Sequence, residues 1–316
     1  MDAQFQFIVT QQQDQSYLLE CLLPGIPYLS EAEWLILLVS GRIQLDNVTI
    51  HENIKVSVGQ KVTYVVPDYE EAEVDTGWKL LWQNHEIAAV HKPANLPVSR
   101  TTRNVYNTLI QLLRRESQWP DAHLLHRLDL ETSGIILIAK TNEIAKQYQS
   151  KLPQLMARKI YRAVINGVPN WTEIRHKSFL NTIKGSDIRC QMHPVNEGDG
   201  KLSETGFKVL RKGEGVALVE CELFTGRKHQ IRAHLAELGF PIVGDKIYSE
   251  NGEFYLKRLA DELTQDDISN WPSEHHLLHA FEIQLHDIWQ IQAPNIVIRD
   301  EDYSDSWVTF CAIHRL

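Results

Sequence analysis

His126-Arg127-Leu128-Asp129-Leu130-Glu131-Thr132-Ser133-Gly134 runs directly into Ile135-Ile136-Leu137-Ile138-Ala139. A short polar loop with two carboxylates thus leads into a five-residue apolar strand. Such a junction pins reactive groups to the edge of a rigid sheet, where a catalytic carboxylate is best held. A nucleophile at Asp129 needs a cationic partner, an aromatic platform and a substrate groove from elsewhere in the chain.

The cation is offered by Thr225-Gly226-Arg227-Lys228-His229-Gln230-Ile231-Arg232-Ala233-His234-Leu235, which begins where a strand-like run, 216–223, stops. A helix from about Arg227 puts Ile231, Leu235 and Leu238 on its buried side and His229 and Arg232, three apart, on another face. Its N-terminus would add dipole and free amides to the side-chain charge, which suits a phosphate or Asp129 itself. A basic surface helix is the plain alternative; Gly226, Gly239, Pro241 and Gly244-Asp245 frame this segment with tight turns and weaken it. The ring is offered by Lys159-Ile160-Tyr161-Arg162-Ala163, whose alternation places Tyr161 on one face with Lys159 and Ala163. Stacking of a ring on a nucleobase is worth ~1–3 kcal/mol, although a tyrosine taken alone more often belongs to a core.

The 316 residues suffice for one large domain or two, and no apolar run approaches the roughly 20 residues of a membrane span. The N-terminus lacks the basic and apolar regions of a signal peptide, so a cytoplasmic protein is expected. Cys21, Cys190, Cys221 and Cys311 are scattered without C-x-x-C spacing, which suits a reducing compartment and argues against a thiolate zinc site. The net charge of −9 is uneven. Residues 1–77 hold twelve acids against three bases, Arg42, Lys55 and Lys61, whereas residues 78–316 are neutral overall and free to present a local basic groove.

The acidic cluster Asp68, Glu70, Glu71, Glu73 and Asp75, ending at Gly77, reads as a solvated linker, dividing an N-terminal module, 1–76, from a catalytic domain, 77–316. In the module a helix over 30–40, capped by Ser30 and stopped at Gly41, precedes strands at 42–45 and 61–66. Beyond the linker, strands are expected at 80–82 and 87–91, a loop at 92–97, a helix over 105–113, and a helix capped by Thr141 with Ile144, Tyr148, Leu152 and Leu155 on its apolar face. Strands at 159–165 and 216–223 complete the pattern. Strands and helices intermix without βαβ order, which favours α+β.

Three of these segments together resemble the pseudouridine synthases of the RluA type, which isomerise uridines in ribosomal or transfer RNA. The resemblance rests on His126-Arg127-Leu128-Asp129-x-x-Thr132-Ser133-Gly134, Lys159-x-Tyr161, and Thr225-Gly226-Arg227-x-His229-Gln230-Ile231-Arg232-x-His234-Leu235. The last continues into Gly239-x-Pro241-Ile242-Val243-Gly244-Asp245-x-x-Tyr248. Lys92-Pro93 and Leu278-His279-Ala280 fall in the family's order, so the likeness covers residues 78–290. It implies a bent, mostly antiparallel sheet with flanking helices around an RNA cleft. It also implies Asp129 as the catalytic aspartate, Tyr161 as the ring on a flipped uracil, and Arg232 as the partner of the aspartate. Arg127, His126, Thr132, Lys159, Arg227, His229 and Gln230 are the expected RNA- or substrate-binding residues. Arg100, Arg103, Arg114, Arg115, Lys140 and Lys151 are candidates for phosphate contacts. No metal or cofactor is expected, and the family's usual state is a monomer.

Relatives often carry a small basic RNA-binding module where this chain has its acidic one, which is therefore expected to keep that fold but serve as a protein-docking or spacer module. Two loops depart from the family: Asn95 stands where glycine is expected, and His286-Asp287 replaces His-Pro. The alternative is a non-catalytic RNA-binding or RNA-folding protein on the same fold, against which intact Asp129, Tyr161 and Arg232 argue. A phosphotransferase is disfavoured because Glu131 stands where its loop needs a second aspartate and the apolar strand follows rather than precedes. His275-His276-x-x-His279 would gather three imidazoles only on a helix; 277–280 reads as strand, and the histidines as incidental.

Overall fold

The structure, a computed structural model, describes residues 2–23, 29–101, 103–286 and 295–316. It divides into two compact units, Met1–Glu73 with Ser99–Thr108, and Val74–Val98 with Leu109–Leu316.

The first unit is a four-stranded antiparallel sheet in the order β1-β4-β2-β3, with β1 at Ala3–Ile8, β2 at Ile43–Leu45, β3 at Val48–Ile50 and β4 at Lys61–Val66. Helices α1 (Leu18–Leu22) and α2 (Glu31–Val39) accompany it. Ser30 caps α2 as expected: its Oγ accepts the Glu33 N–H at 3.3 Å, while the Glu33 carboxylate accepts the Ser30 N–H at 2.7 Å. This fixes where α2 starts, and Trp34, Leu37 and Leu38 are its buried residues. The Trp34 ring meets Tyr64 edge-on at 5.0 Å, and Phe5 stacks on Tyr64 at 5.2 Å.

The acidic stretch after β4 is more than a solvated linker. Tyr69 is buried, and the Glu71 carboxylate accepts the backbone N–H groups of Val105, Tyr106 and Asn107 at 2.7–3.0 Å. Asn104 Nδ2 donates to Ala72 O at 2.7 Å, and Val105 joins the core of this unit. Residues 99–108, read from sequence with the catalytic part, therefore pack in the first unit. The helix expected over 105–113 begins only at Leu109. Glu71→Ala should strip three charge-assisted bonds and destabilise this unit by about 2–3 kcal/mol. Hydrogen exchange at residues 104–107 measures it; unchanged protection would refute the role.

The second unit is built on an eleven-stranded sheet. Its strands are β5 (Lys79–Gln83), β6 (Ile87–Lys92), β7 (His123–Leu124), β8 (Ser133–Ala139), β9 (Met156–Asn166), β10 (Glu173–Asn181), β11 (His193–Val195), β12 (Lys201–Lys212), β13 (Val216–Leu223), β14 (Leu278–His286) and β15 (Asn295–Arg299). The main order is β11-β10-β12-β13-β9-β14-β8-β6-β5, with β15 on β14 and β7 on β8. Among the described strands only β14 and β8 pair in parallel, through His279 with Ser133 and Ala280 with Gly134. Helices α3 (Leu109–Glu116), α4 (Asn142–Gln149), α5 (Leu152–Leu155), α6 (Gln230–Glu237), α7 (Glu253–Leu259), α8 (Gln265–Asn270) and α9 (Asp305–His314) complete the described elements. The architecture is the α+β one expected. Sequence reading missed β1 and β3 in the first unit and β7, β10 to β12 and β15 here, and β12 carries a bulge between Val209 and Arg211 that breaks its alternation.

Strand β8, the continuation of the polar loop, is buried along its whole length because both faces are covered. Ile136 and Ile138 pack in a cluster with Leu109, Leu112 and Leu113 of α3, while Ile135, Leu137 and Ala139 face Ala145, Tyr148 and Leu155 of α4 and α5. Each such aliphatic side chain contributes about 1.5–3 kcal/mol on burial. The strand that carries the loop is thus among the most firmly held parts of the unit. Gly134 is demanded at its start: φ is +107°, and a Cβ would lie 2.4 Å from the Ala280 carbonyl oxygen. Asn95, in the glycine-favouring position of the 92–97 loop, has φ +57°, a left-handed conformation that asparagine tolerates best after glycine. Of His286-Asp287, the second residue lies outside the described residues.

Candidate active site

Asp129 sits in the loop between β7 and β8, and six hydrogen bonds hold that loop. The Thr132 N–H bonds the Asp129 carbonyl at 3.2 Å, closing a turn. Lys92, fully buried at the end of β6, donates to the carbonyl oxygens of Pro93, Leu96 and Leu130 at 2.7–3.0 Å. Burial pulls its amine down to about 7, yet three acceptors match the three hydrogens of the ammonium, and that geometry favours the charged form at neutral pH. Glu131 accepts Lys246 Nζ at 2.8 Å and the His276 N–H at 3.1 Å. The Thr132 hydroxyl bonds His276 Nε2 and the Ser133 hydroxyl bonds His279 Nδ1, both at 2.8 Å. Glu131, which sequence reading left without a role, is therefore a staple of the loop.

The held loop presents Asp129 to α6. Arg232 Nη1 donates to Asp129 Oδ2 at 2.8 Å, and His229 Nε2 lies 3.7 Å from the same oxygen. Arg232 is itself fixed by the fully buried Asp245, which accepts Nε at 2.7 Å and Nη2 at 2.9 Å as a bidentate fork. Asp245 is oriented in turn by the N–H groups of Ile247 and Tyr248 at 3.0 and 3.1 Å. The Arg232 guanidinium also lies 5.2 Å from the centre of the Tyr248 ring.

These contacts set the charge state. Burial works to raise the Asp129 carboxyl, but Arg232, with His229 and His276, outweighs it and holds the group at about 2. His229 and His276 are each depressed to about 4, first by burial and next by Arg232, so at neutral pH they are uncharged and Arg232 carries the compensation. The Asp129 side chain keeps 28% of its surface exposed, against 6% for Arg232. The site thus offers an ionised, accessible carboxylate on a buried cation.

Helix α6 starts at Gln230, three residues later than expected, with His229 before it at φ +53°. The cause is Gln230 itself, whose side-chain oxygen accepts the Arg227 N–H at 3.0 Å and the Thr225 hydroxyl at 2.8 Å, closing 225–230 as a turn. Its amide nitrogen donates to Glu204 O and Thr205 Oγ1, so every polar atom of Gln230 serves the scaffold. Asp129 is met by the Arg232 side chain rather than by free helix amides.

Arg127, Asp129, Thr132, Tyr161, Arg227, His229, Gln230 and Arg232 line one groove, with Leu128, Leu223, Ile231 and Leu278 as its apolar floor. Burial, and then the Asp129 charge, hold the Tyr161 phenol well above its usual range, so the ring is neutral. His126 and Lys159 stand outside this lining. His126 Nε2 accepts the Leu137 N–H at 3.0 Å, and burial followed by Lys159 lowers its imidazole to about 4, which leaves it a neutral brace of β8. Among the scattered bases, Arg114 donates to Ala122 O and Lys140 to Gln83 Oε1, contacts within the protein. The three histidines of 275–279 do not gather: His276 and His279 are bonded to Thr132 and Ser133, and His275 points toward Glu274 at 3.8 Å. Sequence reasoning missed Asp245, Lys246 and His276. The Gly244-Asp245-x-x-Tyr248 motif was the available signal for the first, and no local pattern announced the others.

A long, mostly antiparallel sheet bearing an ionised carboxylate in an open polar groove is the arrangement that the resemblance to pseudouridine synthases, a class of isomerases, implies. The family model described as RNA pseudouridylate synthase matches residues 86–237. An RNA pseudouridine synthase of Synechocystis sp. is 30% identical over 216 residues, covering 67% of this chain and 72% of that protein. Ribosomal large subunit pseudouridine synthase C of Rickettsia bellii is 32% identical over 212 residues, covering 66% and 70%. Human pseudouridylate synthase RPUSD2 is 29% identical over 246 residues, 75% of this chain but 44% of that longer protein. The solved structure of human RNA pseudouridylate synthase domain containing 4 shares the fold, with a TM-score of 0.57 at 24% identity over 75% of this chain and 92% of that one. The chain belongs to the RNA pseudouridylate synthase family.

Proposed function

We propose that this protein converts specific uridines of structured RNA, ribosomal or transfer, to pseudouridine, with Asp129 as the catalytic carboxylate. The observation that carries the reading is the ionised Asp129, accessible in the groove and fixed at 2.8 Å by Arg232. The reaction breaks the glycosidic C–N bond, turns the base and closes a C–C bond at the same sugar carbon. The nucleotide must first leave its stack, because the reacting atoms are inaccessible in a duplex. Asp129 then either attacks the sugar or abstracts a sugar proton. Tyr161 supplies a neutral ring for the freed base, and Arg127 and Arg227, exposed in the groove, supply positive charge for the backbone. Thr132, Gln230 and His126 position the groove through their bonds to the scaffold, and Lys159 and His229 are assigned to substrate binding. The first unit, whose acidity would repel phosphate, is proposed as a spacer or protein-docking module, and the protein as a cytoplasmic monomer.

The direct test is release of tritium from RNA carrying 5-tritiated uridine, with the modified positions mapped in a strain lacking the gene. Absence of release from every ribosomal and transfer RNA tested would sink the proposal. Within it, Tyr161→Leu should weaken substrate use by about 1–3 kcal/mol, roughly 5- to 150-fold in kcat/KM, whereas Tyr161→Phe should keep the stacking share. Equal losses in the two variants would remove stacking as the role of the ring.

A further inference from the structure

We propose that His176, His234 and Glu237 form a site for one divalent transition cation of the zinc type, which fastens helix α6 to strand β10. His234 and Glu237 are three apart on α6 and so share a face. His234 lies two residues beyond Arg232, which puts it on the other side of the helix from the Asp129 contact. His176 comes from β10. One ligand atom from each of the three residues lies within 4.8 Å of the other two.

Two ring nitrogens of the cluster, Nε2 of His176 and Nε2 of His234, are buried without a hydrogen-bond partner within the described residues. His176 Nε2 is 3.0 Å from Glu237 Oε2, but the two do not meet as donor and acceptor. Atoms that close and unaligned suit convergence on a third point. His234, wholly buried, bonds Thr205 Oγ1 through Nδ1 at 2.9 Å, and Thr205 faces His176 across the β10–β12 register. A metal-bound imidazole is commonly held in this way through its second nitrogen.

Two imidazoles and one carboxylate match zinc and its first-row neighbours rather than calcium or magnesium, which take all-oxygen sets. Three protein ligands leave a position for water. The Glu237 side chain, 25% exposed, marks the side from which an ion enters. The site is separate from the uridine chemistry.

The test uses the full chain, stripped with a chelator and titrated with Zn²⁺ against a chromophoric competitor, then with Co²⁺ for its visible absorption. His176→Ala and Glu237→Gln alter partly exposed side chains, and circular dichroism checks that each variant is folded. The expected result is one tightly bound equivalent, an affinity lowered about 100-fold or more in each variant, and a tetrahedral Co²⁺ spectrum lost in both. Zinc at a hundredfold excess over its Kd should raise Tm by about 5–10 °C in the unaltered chain alone. Binding that survives both substitutions would place the metal among other histidines, and no stoichiometric binding by the unaltered chain would make the cluster incidental; either result overturns the proposal.

Discussion

Converting Asp129 to Asn is expected to lower tritium release from 5-tritiated uridine by about 10⁴-fold or more, with the fold intact. Asparagine preserves shape and can still accept from Arg232 Nη1, so the variant isolates the loss of the carboxylate. Its effect on stability should be far smaller. The folded carboxyl sits at about 2, below its usual range, so the stability linked to it is complete above about pH 4 and lost as pH falls through about 2. At neutral pH that linkage is worth about 2 kcal/mol, and Asp129→Asn should cost no more. The same depression predicts that Asp129 contributes no acid limb to the kcat/KM profile between about pH 5 and about pH 8. Wild-type release that survives the substitution, or an acid limb near pH 6 traced to Asp129, would refute the assignment.

Legibility of the site in the sequence followed the range of the interactions. Asp129, Tyr161 and Arg232, which the structure gathers in one groove, each lie in a local pattern: a polar loop before an apolar strand, an alternating strand, and a basic segment framed by glycines. Their convergence rested on family resemblance, since nothing local brings residues 129 and 232 together. The start of α6 was misplaced because Gln230 turns its side chain back on Arg227, a contact that helix periodicity does not encode. The acidic run before residue 77 looked solvated because composition cannot tell that Glu71 binds three amides more than thirty residues away. Lys246, His276 and Lys92 were invisible as site residues for the same reason: each acts on the 129–133 loop from another part of the chain. Strands β10 to β12 carry mixed polar and apolar residues on both faces, so no period announced them.

Asp245 and Arg232 should prove the most costly pair to separate. Arg232→Ala leaves a fully buried carboxylate with, among the described residues, two backbone N–H partners, and Asp245→Ala leaves a buried guanidinium with Asp129 as its anionic partner beside the Tyr248 ring. Either should cost about 3–5 kcal/mol, because an unpaired buried charge is far worse than no charge. On unfolding this would lower Tm by roughly 10 °C for a unit of this size. The two single variants should also lose activity, so stability and catalysis need separating. Arg232→Met combined with Asp245→Leu removes both charges and fills the space, and should recover most of the stability while tritium release stays absent. Arg232→Lys tests the fork: a point charge cannot bind Asp245 through two bonds and still reach Asp129, so kcat should fall even where the protein remains folded. The acid response gives an independent check. Burial works against the Asp245 carboxyl, but Arg232 outweighs it and holds it far below the usual carboxylate range. Its contribution is therefore complete above about pH 4 and is lost only as pH falls further, and the double variant should lack that part of the acid sensitivity. Single variants within about 1 kcal/mol of the unaltered chain, or a double variant that still releases tritium, would show that Asp245 does not hold Arg232 in the role its geometry implies.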